Sequence, residues 1–286
     1  MKNILITGSN GFIGSYFIKK YMQTYNLKVF SFLHEKIENL ECSDCDVVLH
    51  LSGLVHQMAG ASEEEYIKIN LKQTLAIANK AKKSGVKQFI FMSTVKVYGE
   101  ETDLPYTENS VCNPKDAYGR SKLKAEQELL KLQSNSFKIS IIRTPIVYGY
   151  GVKANIKKLI NLVDKISLLP FGSISNQRSF VYVGNLSHLC DLIIKQEISG
   201  IFLASDDQPI STSQLCTLIA DKLHKKIYLI KIPFFEILLS KIKPSLYKRL
   251  YKNLIIDNSL TKKKLNLINP YSIDKGIELM IDGECF

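Results

Sequence analysis

The chain has 286 residues, 45% hydrophobic and 23% charged, with a net charge of +11 from 38 Lys and Arg against 27 Asp and Glu. This composition excludes a disordered or fibrous protein, and no apolar run approaches the roughly 18 residues of a membrane span. The basic balance favours anionic partners, but the lysines are spread along the chain without a nucleic-acid motif, which argues against RNA or DNA.

Met1 leads straight into a strand-like run, Ile4 to Ile6, with no signal-peptide pattern, so the expectation is a cytoplasmic protein. A Gly-x-x-Gly-x-x-Gly turn at Gly8, Gly11 and Gly14 then opens a helix with apolar periodicity over Tyr16 to Tyr21. Further strands are predicted at Lys28–Leu33, Asp46–Leu51, Gln88–Met92 and Ile139–Ile142, with helices at Glu64–Ser84 and Tyr118–Leu132. Such alternation predicts an α/β protein with a Rossmann-like, doubly wound parallel sheet, and a ligand site at the carboxyl ends of its strands. Between Leu33 and Asp46 there is too little chain for the usual helix, third strand and second helix, so one crossover is abbreviated. Past Gly149 the alternation fades. Val152–Leu169 reads as a helix, broken by the Pro170-Phe171-Gly172 turn before a strand at Arg178. From Ile227 to Ile256 apolar residues alternate with lysines; the segment is expected to pack into a smaller lobe, with an anionic membrane surface as the alternative. Cys42-x-x-Cys45 lacks the partner pair that a zinc site needs and reads as reduced, inert thiols; no metal is expected.

Three motifs carry chemistry. In Thr7-Gly8-Ser9-Asn10-Gly11-Phe12-Ile13-Gly14, glycine allows a tight turn and lets backbone amides approach a pyrophosphate at a helix N-terminus, whose dipole favours the anion. Gly8, Asn10, Gly11, Phe12, Ile13 and Gly14 are therefore expected at a dinucleotide. Ser52-Gly53, after Leu51, and Ser93-Thr94 each sit just past a strand end. Tyr118 and Lys122, four apart on a helix, share a face, so the Lys122 ammonium is expected beside the Tyr118 hydroxyl and the cofactor ribose. A cation there would lower a phenol that ordinarily titrates near pH ~10 toward a useful base. Thr94 is the hydroxyl expected to bind the reacting oxygen and share its proton with Tyr118, with Ser93 as the adjacent alternative. In this order the motifs describe a nicotinamide-dependent oxidoreductase.

Nearly the whole chain resembles the extended short-chain dehydrogenases/reductases that act on nucleotide sugars, among them the UDP-galactose 4-epimerases. The resemblance rests on Thr-Gly-x-x-Gly-Phe-Ile-Gly at 7–14, His-Leu-x-Gly at 50–53, Asn70, Ser-Thr-x-x-Val-Tyr-Gly at 93–99 and Tyr-Gly-x-Ser-Lys at 118–122. The stretches 50–56, 151–155 and 178–186 look like a bacterial polysaccharide branch containing 4-epimerases and reductases of UDP-4-keto sugars. The resemblance implies Tyr118, Lys122 and Thr94 as the catalytic set and Asn155 and Arg178 as holding a substrate diphosphate. It adds Leu51, Ser52, Gly53, Asn70 and Pro145 to the cofactor contacts, and His56 and Lys153, with Gln57 and Phe171, to the sugar pocket. It also implies a UDP-sugar partner and a homodimer formed through the Tyr118 helix. By the same likeness, residues 1–150 form the dinucleotide-binding domain, to which 179–205 return, and 151–286 the substrate lobe.

Two features bear on the reaction. The acid that in NAD-selective relatives ends the second strand falls here near Leu33, with His34 and Lys36 following; this favours NADP, with His34 at the cofactor, while Glu35 keeps NAD open. The 4,6-dehydratases carry an Asp-Glu pair after the catalytic hydroxyl, where this chain has Val95 and Lys96, which argues against dehydration. The expected activity is therefore redox chemistry at C4 of a UDP-hexose or UDP-N-acetylhexosamine in surface polysaccharide synthesis, a 4-ketoreductase ahead of a 4-epimerase. A non-catalytic dinucleotide-binding sensor is the alternative class, against which the retained Tyr118, Lys122, Thr94 and Arg178 stand.

Overall fold

A computed structural model describes residues 1–32, 35–55, 61–172 and 174–284. The chain starts with β1 (Asn3–Thr7), α1 (Phe12–Tyr21), β2 (Asn26–Phe30) and β3 (Val47–His50). Next, α2 (Glu63–Tyr66) runs through a π-helical segment, Ile67–Gln73, into α3 (Thr74–Lys83). Then come β4 (Gln88–Thr94), α4 (Ala117–Leu132), β5 (Lys138–Thr144), β6 (Ile146–Tyr148), α5 (Ala154–Lys165), β7 (Leu168–Leu169) and β8 (Phe180–Tyr182). The remainder is α6 (Val183–Gln196), β9 (Gly200–Leu203), α7 (Thr212–Lys222), β10 (Tyr228–Leu229), α8 (Phe235–Ile242), α9 (Pro244–Tyr251), α10 (Ser259–Leu265) and α11 (Ile273–Asp282).

Six strands form a wholly parallel sheet in the order β2-β1-β3-β4-β5-β9. Because side chains alternate between the faces of a strand, a sheet covered on both faces needs apolar residues at nearly every position. Ile4, Ile6, Leu49, Ile90 and Ile142 accordingly face Phe17 of α1 and Leu186, Leu189 and Ile193 of α6. Leu5, Val48, Phe89, Phe91, Ile139 and Ile141 face Ile77 and Ala81 of α3 and Ala125 and Leu129 of α4. The buried thiols of Cys42 and Cys45 belong to this second layer.

Between β2 and β3 the described residues form one short 3₁₀ turn, Ile37–Asn39, so the abbreviated crossover removes a strand and leaves β2 at the sheet edge. Strand order reverses between β1 and β3, which opens the crevice at their carboxyl ends. A second core joins α5, α7 and α11 around Phe171, Phe180, Tyr182 and Ile219.

Three sequence expectations need correction. The helix expected over Val152–Leu169 ends at Lys165, because Leu168 and Leu169 pair with Tyr228 and Leu229 as a small parallel ladder. Arg178 makes isolated bridges to Ile210 and Leu254 just before β8. The 227–256 segment packs only in part as expected: Leu254 and Ile256 are buried, and Ile227, Leu229, Leu250 and Tyr251 lean on the second core, but α8 has no buried residue. This two-turn helix packs against α9, and its outer face is left exposed.

Behind the crevice, Arg143 of β5 and Glu126 of α4 form a buried ion pair at 2.6 Å, and Arg143 also donates to the Tyr98 hydroxyl at 2.6 Å. Removing one partner leaves an uncompensated charge in the core. Arg143→Met should therefore lower stability by about 3–5 kcal/mol in urea denaturation. The double change with Glu126→Leu should recover much of that loss.

Candidate active site

The glycine turn is built by close approach. Gly8 has φ +76°, and a Cβ on it would lie 2.7 Å from the Ser52 amide nitrogen; on Gly14 it would lie 2.3 Å from the Gly8 carbonyl oxygen. Gly11 donates to the Gly8 carbonyl at 3.0 Å and precedes α1, whose N-terminus has no side-chain cap and no acid in its first turn. Its amides therefore present an uncompensated positive end, which fits a dinucleotide pyrophosphate. Asn10 and Gly11 are exposed at the tip, Ile13 lines the crevice, and Phe12 packs instead against the second core.

The floor of the crevice is tied by buried polar contacts. The Thr7 hydroxyl meets His50 Nδ1 at 2.6 Å and the Ser52 hydroxyl at 3.1 Å, while His50 Nε2 meets the Thr74 hydroxyl at 2.9 Å. Burial, with the Lys122 charge adding to it, pulls His50 down to about 3, so the ring is neutral. Asn70, inside the π-helical segment, accepts from the Leu54 amide at 2.8 Å and donates to the Leu54 carbonyl at 2.9 Å and the Ser121 hydroxyl at 3.1 Å. Ser52 and Asn70, expected to touch the cofactor, thus spend these groups holding the loop that would receive it.

Asp116 caps α4 by accepting from the Gly119 amide at 2.7 Å, which fixes the helix start beside the end of β4. Tyr118 and Thr94 line the same cavity, where the Thr94 hydroxyl acts on the phenol and lowers it. Lys122 Nζ donates to the Met92 carbonyl at 2.9 Å and lies 4.5 Å from the Phe91 ring centroid. A Cβ on Gly53 would come within 3.1 Å of that nitrogen. Burial pulls Lys122 down to about 8, with Glu126 acting the other way. The structure departs from the expected electrostatics at Tyr118: burial pushes the phenol well above its ordinary value, opposed by the Thr94 hydroxyl, while Lys122 is engaged by Met92. The Ser93 hydroxyl donates to Glu126, so of the two candidate hydroxyls Thr94 is the one on the tyrosine.

A cavity of about 480 Å³ joins Ile13, Leu51, Gly53, Thr94, Tyr118, Lys122 and Pro145 to Asn155 and Arg178. Arg178 is buried and donates to the carbonyls of Lys252 at 2.9 Å and Lys248 at 3.4 Å. Burial and then the Arg249 charge pull it down to about 10, an arrangement that an anion between the two guanidiniums would relieve. A second, largely apolar cavity of about 630 Å³ shares Asn155, Arg178 and Arg249 with the first and includes Leu159, Phe171 and Leu215. Lys153 is exposed and lines neither cavity. His34, His56 and Gln57 lie outside the described residues. Lys248 and Arg249 also line the first cavity, and sequence reasoning missed them: in an amphipathic run a charge facing a ligand cannot be told from one facing water.

The model of the NAD dependent epimerase/dehydratase family matches residues 4–202. A UDP-glucose 4-epimerase of Vibrio cholerae is 33% identical over 97% of this chain and 94% of its own length. In fold the chain is similar to the UDP-glucuronic acid 4-epimerase of Bacillus cereus solved with NAD, with TM-score 0.79 and 21% identity over 98% of both chains. It is also similar to RMD of Pseudomonas aeruginosa solved with NADPH, with TM-score 0.80 and 18% identity over 99% of this chain and 97% of the other.

The neutral His50 gives a pH dependence with a definite sign. Its folded pKa lies below the ordinary 6.5, so the unfolded chain binds the proton first as pH falls. This contribution to stability is complete above pH 6.5 and is lost progressively toward about 3. Urea midpoints measured across that range should fall less steeply in His50→Asn. Gly14→Val should weaken dinucleotide binding by at least about tenfold in calorimetric titration, since its side chain collides with the turn.

Proposed function

The chain belongs to the NAD dependent epimerase/dehydratase family, and from that premise we propose that it is a nucleotide-sugar 4-epimerase acting on a UDP-hexose or UDP-N-acetylhexosamine. The observation that carries the reading is one cavity lined both by the Tyr118–Thr94 hydroxyl pair and by two guanidiniums, Arg178 and Arg249. One end suits proton transfer at a sugar hydroxyl, the other a diphosphate. Bound NAD(P) would supply a hydride acceptor and donor at the nicotinamide C4. Thr94 would orient the sugar C4 oxygen, and Tyr118 Oη, as the phenolate that the Lys122 ammonium and a bound nicotinamide cation would have to favour over the buried phenol, would take its proton and return it after the ketone has presented its other face. Lys122 would hold the ribose side, and Arg178, Arg249 and Asn155 would keep the diphosphate anchored while the ring turns.

The epimerase draws support from the 33% identical relative and from the end of β2. There the Glu35 carboxylate accepts from the Ser31 amide at 3.3 Å, which puts an acid beside the position where a ribose 2′-phosphate would need a cation. We therefore favour NAD, against the NADP expected from His34 and Lys36. The 4-ketoreductase is the second reading, favoured by the missing crossover, which leaves less wall on the adenosine side and suits a cofactor that exchanges.

Mass spectrometry of nucleotide released on denaturing freshly purified protein separates the two. Stoichiometric NAD is the expected result, and an empty site that binds NADPH more tightly than NADH would instead establish the reductase reading. Tyr118→Phe should lower turnover of UDP-sugar by at least about a hundredfold while leaving dinucleotide binding intact. Unchanged turnover in that variant would remove Tyr118 from the mechanism.

A further inference from the structure

Helix α8 packs against α9 but buries none of its residues, and its outer face is apolar. Phe234 is 80% exposed, Ile242 63%, Leu238 56% and Ile237 55%. Ile237, Leu238 and Ile242 lie on one side of the helix, and Phe234 precedes it at the N-cap, so the four form one apolar stripe. Isolated exposed apolar residues are ordinary, but a contiguous stripe on a helix with no buried residue marks a contact surface. Lys231, Lys241 and Lys243 flank the stripe, are exposed, and make no ion pair among the described residues. From Lys231 to Lys252 there are six basic residues against the single acid Glu236, which is bonded to the Tyr247 hydroxyl.

We infer that α8 and its flanking lysines dock this protein on an anionic membrane surface. Eight residues of helix span about 12 Å, far too short to cross a bilayer but sufficient to lie in its interface with the apolar stripe down and the lysines at the headgroups. No helix among the described residues is long and apolar enough to cross a membrane. Charge decides between a membrane and a second copy of this chain. A two-fold contact through α8 would set identical lysine clusters against each other, whereas acidic lipid attracts each of them. The next helix, α9, carries Arg249 into the catalytic cavity, so docking through α8 would bring that cavity close to the lipid surface. This surface is separate from the residues assigned to sugar chemistry, and the docking holds whatever the sugar.

The test is co-sedimentation of the full chain with extruded vesicles of equal parts phosphatidylcholine and phosphatidylglycerol, compared with phosphatidylcholine alone. Binding should require phosphatidylglycerol and should weaken steeply as salt is raised toward about 1 M. Ile237→Asp combined with Leu238→Asp should lower the bound fraction at least about tenfold, and Lys231→Ser and Lys241→Ser by roughly fivefold each. All three variants should retain wild-type thermal melting and dinucleotide binding, which shows that the fold and the cofactor site are intact. Equal binding to neutral vesicles, or binding that the double variant leaves unchanged, would overturn the inference. So would a wild-type dimer in sedimentation velocity that the double variant dissociates, without any vesicle binding, since a second copy would then cover α8.

Discussion

The hydrogen bond from Lys122 Nζ to the Met92 carbonyl ties helix α4 to the end of strand β4, and the Tyr118 half of the crevice is arranged around it. The helix is thereby held with Tyr118 against Thr94, at the point where β4 ends and its side chains turn toward the crevice. The same buried nitrogen leaves little room for a side chain at position 53 and helps to keep His50 neutral. A neutral imidazole between Thr7 and Thr74 then joins β1, β3 and α3 without adding a charge to the floor of the site. The glycine turn, the 52–54 loop and the Tyr118 helix thus meet at one set of strand ends, held by short polar contacts that the surrounding apolar layers keep from water.

Burial has opposite uses at the two ends of the cavity. Around Tyr118 and Lys122 it disfavours both charged forms, raising the phenol and lowering the ammonium, so neither group is held firmly as an ion. At Arg178 it disfavours a charge that the guanidinium cannot readily give up, and the nearby Arg249 adds to the cost. An anion would relieve that combination, so the arginine end suits a charged group and the tyrosine end a neutral hydroxyl or ketone. The apolar cavity beyond Arg178, lined in part by Leu159, Phe171 and Leu215, offers room for a further, less polar portion of a ligand.

What was legible in the chain is local in character. Continuous apolar runs marked the sheet strands, the glycine spacing marked the turn into α1, and a four-residue spacing put Tyr118 and Lys122 on one helix face. The count of residues between Leu33 and Asp46 was enough to reveal a lost crossover, because each helix and strand needs a minimum length. Family membership followed from the same short motifs.

Tertiary packing decided the rest, because burial and charge depend on neighbours far along the chain. The sequence places Ser93 and Thr94 side by side, yet only the fold turns the first to Glu126 and the second to Tyr118. Lys122 was expected to act on the phenol, but the Met92 carbonyl engages it, and desolvation, which no spacing rule reports, governs Tyr118. Lys248 and Arg249 read as surface charges until α9 is folded over the cavity, while Ile237, Leu238 and Ile242 of α8 read as core until the fold leaves them exposed. By itself the sequence determined the order of the elements, the glycine turn and the residue types available for chemistry. Only the assembled structure decided which of those side chains face the crevice, which are spent holding it together, and which face outward, because each outcome depends on contacts between residues distant in sequence.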